Sequence, residues 1–181
     1  MKYSGLKKYS IGNGEGVRVS LYVSGCKFHC KGCFNPETWD FNTGWEYTEE
    51  TEKEILELVK SDRVDGLSLL GGDPLWQSYK DMEQLFNLVN KVAMLGKTTW
   101  LWSGFTFEEL MEDELEKEDP ELWVMRRSLA FACDVWVDGR FILDKRDLRL
   151  QWCGSTNQRV IDIRKSLEKG EVILYKNKFT K

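Results

Sequence analysis

Cys26, Cys30 and Cys33 stand in the run Ser24-Gly25-Cys26-Lys27-Phe28-His29-Cys30-Lys31-Gly32-Cys33-Phe34-Asn35, spaced C-x-x-x-C-x-x-C with no fourth cysteine near. A structural zinc site or a ferredoxin-type cluster takes four protein ligands. Three thiolates leave one coordination position open, and an open position is where chemistry happens. Three thiolates can hold three irons of a 4Fe–4S cluster. The fourth iron then needs a ligand from outside the chain, such as a small molecule offering an amine and a carboxylate.

A second motif suits such a ligand. In Gly71-Gly72-Asp73-Pro74, two glycines let backbone approach closely, and their polar groups can bond an amine. Asp73 adds an acceptor, or caps the turn. Alone, the tetrapeptide reads as an ordinary turn. One βα unit after a cysteine triad, it reads as part of a site.

The elements that must position these motifs are legible as periodicities. Val17, Val19, Leu21 and Val23 alternate with polar residues, which predicts a strand running into the cysteine loop. Thr48 to Lys60 reads as an acidic helix, with Ile55, Leu56, Leu58 and Val59 toward the core. Leu67 to Leu70 is a short apolar strand ending at the glycine turn. Met82, Leu85, Phe86, Val89 and Val92 recur at helical spacing, closed by Gly96. Thr98 to Trp102 is a strand ending at Ser103-Gly104. Thr106 to Glu109 is a capping box, and Pro120 opens a helix over Glu121 to Ala130. Asp134 to Val137 is a strand ending at Asp138-Gly139. Arg159 to Ile163 and Glu171 to Leu174 are weaker strands. This alternation argues an α/β fold with a mostly parallel sheet. The four turns then gather at the carboxyl edge of the strands, where such folds place their sites.

Size and composition narrow the function. A chain of 181 residues reads as one domain, 1–181, with a core that needs no disulfide staples. The net charge of −4 gives no broad attraction to nucleic acid. No apolar run is long enough to span a membrane, and the N-terminus lacks a signal-peptide core. The chain therefore reads as cytoplasmic, where clustered thiols mean metal or redox chemistry. Cys133 and Cys153 read as buried thiols. The acidic runs Glu49 to Glu54 and Glu112 to Asp119 read as solvated faces.

Taken together the motifs resemble the radical S-adenosylmethionine superfamily and, within it, the proteins that activate anaerobic ribonucleoside-triphosphate reductases. The triad followed by Phe34-Asn35 and Thr38-Trp39 is similar to that family's cluster loop. Gly71-Gly72-Asp73-Pro74-Leu75 resembles its methionine-binding turn. Trp100 to Thr106 with Glu108, Glu109 and Leu110 resembles a third motif, and Asp134 to Phe141 a fourth. Ser155, Asn157-Gln158-Arg159 and Ile161-Asp162 resemble its C-terminal signature. Three positions depart from the family. Ser103 replaces a threonine, Cys153 a basic residue, and Gly32, before the third cysteine, the aromatic common across the wider superfamily.

The resemblance implies a partial, open (βα) barrel of the radical S-adenosylmethionine type. It implies a 4Fe–4S cluster on Cys26, Cys30 and Cys33, with S-adenosylmethionine on the open iron. A one-electron donor such as flavodoxin would reduce the cluster. Cleavage of the sulfonium would give methionine and a 5′-deoxyadenosyl radical. That radical would take hydrogen from a glycine of the large reductase subunit. No side chain acts as acid or base. Phe28 or Phe34 could pack the adenine or belong to the core. Asn35 could bond the cofactor or hold a turn. Ser103 could line the cofactor or cap a helix. Asp138 could bond the ribose or form a turn, and Asn157 to Arg159 could face cofactor or partner or simply solvent. Other readings are an activase of another glycyl-radical enzyme, a small-molecule radical enzyme, or a zinc-binding interaction module. In that last reading His29 would join the thiols, although its place beside Cys30 strains tetrahedral geometry.

Overall fold

The computed structural model describes residues 1–112 and 119–177. Most of the acidic run Glu112 to Asp119 lies outside them. A seven-stranded sheet organises the chain: β1 (Lys2–Ser10), β2 (Arg18–Val23), β3 (Trp45–Glu46), β4 (Gly66–Gly71), β5 (Thr98–Trp102), β6 (Val135–Asp138) and β7 (Arg159–Asp162). Their spatial order is β3-β1-β2-β4-β5-β6-β7. The neighbours β2, β4, β5 and β6 run parallel, so all four motif turns leave the same edge. The sheet is mixed, because β1 runs antiparallel to β2 and to β3, and β7 antiparallel to β6. It does not close on itself.

The helices are α1 (Glu49–Val59), α2 (Tyr79–Met94), α3 (Phe107–Met111), α4 (Pro120–Ala132) and α5 (Ile163–Lys169). Their starts follow from sequence. Thr48 and Thr106 each form a capping box, and Ser78, Asp119 and Asp162 each accept from the N3 amide. Gly96 follows α2 with φ +71°, as a helix-ending glycine does. The expected apolar stripe of α2 is buried at Met82, Leu85, Val89 and Val92.

The period-two pattern of the strands gives the sheet two different faces. Val19, Leu21, Val23, Leu67, Leu69, Leu101 and Trp136 enter one core with Ile55, Val59, Leu85, Leu88 and Leu129 from the helices. The other face carries Trp100, Val135 and Val137, covered by Trp102, Trp152 and Tyr175. Arg18 is buried on this second face. It donates to Ser68 Oγ (2.8 Å), Leu67 O (2.8 Å) and Thr98 O (2.7 Å), and lies 5.5 Å from the Trp100 ring centre. Burial lowers its pKa only to about 10, so it stays charged and ties β2, β4 and β5 together.

Two strands do not follow from sequence periodicity. β1 is half-buried and β3 exposed, so neither shows alternation. The expected strand at Glu171 to Leu174 is a single bridge between Ile161 and Leu174.

Candidate metal and cofactor site

The cysteine loop leaves β2 and is pinned by its own return segment. Gly25 N donates to Thr38 O (2.7 Å) and Cys26 N to Trp39 O (3.1 Å). Gly25 has φ +105°, and a Cβ there would lie 2.1 Å from the Phe41 ring. Only glycine therefore turns the chain out of β2 at this point. Cys33 N closes a turn onto Cys30 O (3.0 Å), and Asn35 N approaches Cys33 Sγ (3.4 Å). His29 takes φ +47° and stacks on Trp39, ring centres 4.7 Å apart.

Cys26, Cys30 and Cys33 line one wall of a cleft whose other walls are the Gly71-Gly72-Asp73 turn, Trp102 to Gly104 and Gly139 to Phe141. The four motif turns thus meet as their shared sheet edge requires. Asn35 and Phe28 also border this cleft. Among the described residues no three Cys, His, Asp or Glu side chains converge on a point that one ion could fill. A four-iron cluster asks for something else: each thiolate binds its own iron, so the three sulfurs need a common wall rather than a common point. The donor set fits such a cluster. Burial pushes the Cys26 thiol up to about 12, helped by the nearby Asp73 charge, and burial also raises Cys30. A bound metal cation reverses that balance and takes the thiolate outright.

The glycine turn is locked to the cysteine loop. Gly72 N donates to Val23 O (2.7 Å) and Asp73 N to Gly25 O (2.8 Å). A Cβ on Gly72 would sit 2.5 Å from Gly25 O. Gln77, which sequence reasoning passed over, completes the joint. Its buried amide donates to Ser24 O (3.1 Å), Gly25 O (3.3 Å) and Asp73 O (3.0 Å). A polar residue just past a motif turn is the only trace it leaves in sequence.

Asp73 is 2% exposed, and its carboxylate spends its lone pairs on protein. It accepts from Leu75 N (2.9 Å), Gly104 N (2.8 Å) and Ser103 Oγ (2.9 and 3.0 Å). Burial raises its pKa to about 6 while these hydrogen bonds pull the other way. Asp73 and Ser103 are therefore a clasp between the second and third motif turns. Asp138 is fully buried and accepts from Phe107 N (3.0 Å) and from Arg159, which also grips Glu108 (2.6 and 2.9 Å). It anchors the start of α3 and the C-terminal signature.

The aromatic candidates separate. Phe28 packs edge-on against Trp76 and Phe105, with Arg140 4.5 Å over its ring centre. Phe34 is 51% exposed, meets Phe141 edge-on, and borders a side groove rather than the central cleft. Arg126 also escaped sequence reasoning. It is buried on α4, donates to Leu75 O (2.7 Å) and lies over Trp76 and Phe105. Asn157 donates to Arg140 O (2.8 Å), and Gln158 joins Gly139 O to Gly154 N (2.9 Å each). Cys133 is buried, its thiol donating to Leu129 O (3.4 Å). Cys153 is half-buried beside Trp152.

Each thiol also borders a groove outside the central cleft. Beside Cys26 it holds Lys27, His29, Trp39 and Asp40. Beside Cys30 it holds Lys31, Arg140, Ile142 and Arg159. Beside Cys33 it is mixed, with Phe34, Leu148, Trp152 and Cys153 alongside Asn13, Asp147 and Gln158.

Comparison with known proteins gives the family. A family described as a 4Fe-4S single cluster domain matches residues 12–161. The chain is similar to the anaerobic ribonucleoside-triphosphate reductase-activating protein of Vibrio cholerae, 37% identical over 162 residues, which is 87% of this chain and 96% of that protein. The protein so named from Escherichia coli K12 is 35% identical over 167 residues, 91% of this chain and 100% of its own. That of bacteriophage T4 is 34% identical over 162 residues, 88% and 93%. With its thiol wall, its clasped glycine turn and these relatives along nearly its whole length, the chain belongs to the family of anaerobic ribonucleoside-triphosphate reductase-activating proteins.

Proposed function

We propose that this chain is a radical S-adenosylmethionine activase whose substrate is the large subunit of an anaerobic ribonucleoside-triphosphate reductase. The observation that carries the reading is that three thiols and the Gly71-Gly72 turn line one cleft, in a chain of this family. When bound, the cluster and S-adenosylmethionine supply one electron and a 5′-deoxyadenosyl group, whose carbon radical takes hydrogen from a glycine of the reductase.

The chain's own residues bind and orient. Cys26, Cys30 and Cys33 hold the cluster and leave one iron for the methionine part of the cofactor. The amides of Gly72 and Asp73 are already spent on Val23 and Gly25. A cofactor amine, itself a donor, is therefore met by backbone carbonyls of the Gly71-Gly72 turn. Asp73 and Ser103 hold that turn in register with Gly104. Phe28 and Asn35 border the cofactor's place. The open sheet forms one domain and a partial barrel. The groove near Phe34 and Leu148 admits the glycine-bearing loop of the partner. A flavodoxin-like carrier in the cytoplasm supplies the electron.

The test is anaerobic. The purified protein is expected to be brown, with about four irons and four sulfides per chain, and to release methionine and 5′-deoxyadenosine when reduced with S-adenosylmethionine. A colourless protein holding one zinc sinks the reading and supports a zinc module.

A further inference from the structure

We infer that the groove beside Cys30 is the docking site of an acidic one-electron carrier protein, received by Lys31 and Lys145. The inference rests on the cluster reading above. The chain carries a net charge of −4, yet the outer rim of the cysteine loop is basic. Lys27 and Lys31 lie within the loop and are exposed. Gly32 packs directly beneath Leu143, where a Cβ would be 2.8 Å from a Leu143 methyl. The 143–146 turn, with exposed Lys145 and Arg146, is thereby held beside Lys31.

The cations of this region divide into two sets. Arg140 pairs with Glu109 (3.0 Å), and Arg159 with Glu108 and Asp138. These arginines are structural anchors. Lys31 and Lys145 make no ion pair among the described residues, so their charge faces outward. Lys31 lines the groove at Cys30, and Lys145 stands on the adjoining turn with Asp144 and Arg146, so positive charge is in excess at the groove's outer rim. The groove at Cys26 sets Glu37 and Asp40 against Lys27. The groove at Cys33 has no lysine or arginine in its lining and carries Asp147.

The character of the surface fixes the kind of partner. Exposed lysines steer an acidic protein and raise its on-rate without holding it tightly. Small charged contacts of this sort belong to electron-transfer encounters, which must part after each electron. The exchange is simple in balance: the reduced carrier loses one electron, the metal centre gains it, and no bond forms or breaks.

Flavodoxin is the probe. Its binding to the isolated protein is measured by calorimetry at ~0.01 and ~0.1 M salt, where the Debye length falls from ~30 to ~10 Å. Lys31→Glu and Lys145→Glu are each expected to weaken binding on the order of tenfold at the lower salt, and to flatten the salt dependence. Lys60→Glu, on the end of α1, makes the same change in net charge and is expected to bind as wild type. In the cluster-loaded protein the two variants are expected to be reduced more slowly by reduced flavodoxin. Photoreduced 5-deazariboflavin, which is uncharged, should reduce them at the wild-type rate. Equal binding by all four proteins overturns the assignment, as does equal weakening by Lys60→Glu. Binding is read without the cluster, so failure of the cluster reading appears separately, as a protein without visible absorbance.

Discussion

Three cysteines of five are proposed to carry the site, and they can be told apart by substitution. Cys26→Ala, Cys30→Ala or Cys33→Ala is expected to abolish bound iron and sulfide, whereas Cys133→Ala and Cys153→Ala should retain them. Iron analysis after anaerobic purification reads the difference. Retention by any of the first three would break the ligand assignment. Asp73 answers to pH. Its pKa in the folded protein is raised to about 6 from 3.8, so between those values the folded state binds more protons than the unfolded state. Its contribution to stability therefore falls as pH rises through that window, by up to about 3 kcal/mol. In Asp73→Asn that slope should vanish from urea titrations at pH 4 to 6. An unchanged slope would show that Asp73 is not the buried carboxyl the structure describes. The sequence displayed the thiols and the glycine turn plainly, because their types are rare and their spacing is tight. It did not distinguish a carboxylate that meets a ligand from one that meets Ser103 and Gly104, since both choose Asp after Gly-Gly.

At the scale of elements, the joint between β2 and β4 is the part that cannot be loosened. Gly72→Ala would place a methyl 2.5 Å from Gly25 O. Overpacking against backbone costs about 1–3 kcal/mol, and here it also spreads the cysteine loop from the glycine turn. The variant is expected to melt earlier and to hold less iron. Gln77→Leu strips one buried amide from three carbonyls, and about 1–3 kcal/mol should be lost in denaturant titration. A change within error would mean that water replaces Gln77 there. The parallel strands were legible because both faces of β2, β4 and β5 are buried, and apolar runs ending in Gly or Ser stand out. β1 was not. Its residues, Lys-Tyr-Ser-Gly-Leu-Lys-Lys-Tyr-Ser, are only half covered, so no period-two signal survives. Its place is set by pairing with β2 and β3, which is tertiary information. Gln77 and Arg126 were missed for the same reason: a buried polar residue is recognised by its partners, and those lie about fifty residues away.

For the molecule as a whole, the decisive feature is an open sheet with a reactive edge. A closed eight-unit barrel takes ~250 residues; this chain has 181, and its seven-stranded sheet does not close. A carbon radical must be kept from water and stray hydrogen donors, so the partner itself is expected to complete the enclosure. Cofactor cleavage without productive hydrogen transfer should accordingly be higher in the protein alone than in the complex with the large reductase subunit, measured as 5′-deoxyadenosine per glycyl radical. Equal values would remove the sealing role of the partner. The central claim is the radical transfer. It is tested most directly by electron paramagnetic resonance on the reduced, cluster-loaded protein mixed with S-adenosylmethionine and that subunit. A glycyl doublet is predicted with the wild-type chain and none with Cys30→Ala. A loaded cluster that gives no doublet, or a doublet formed with Cys30→Ala, would contradict it.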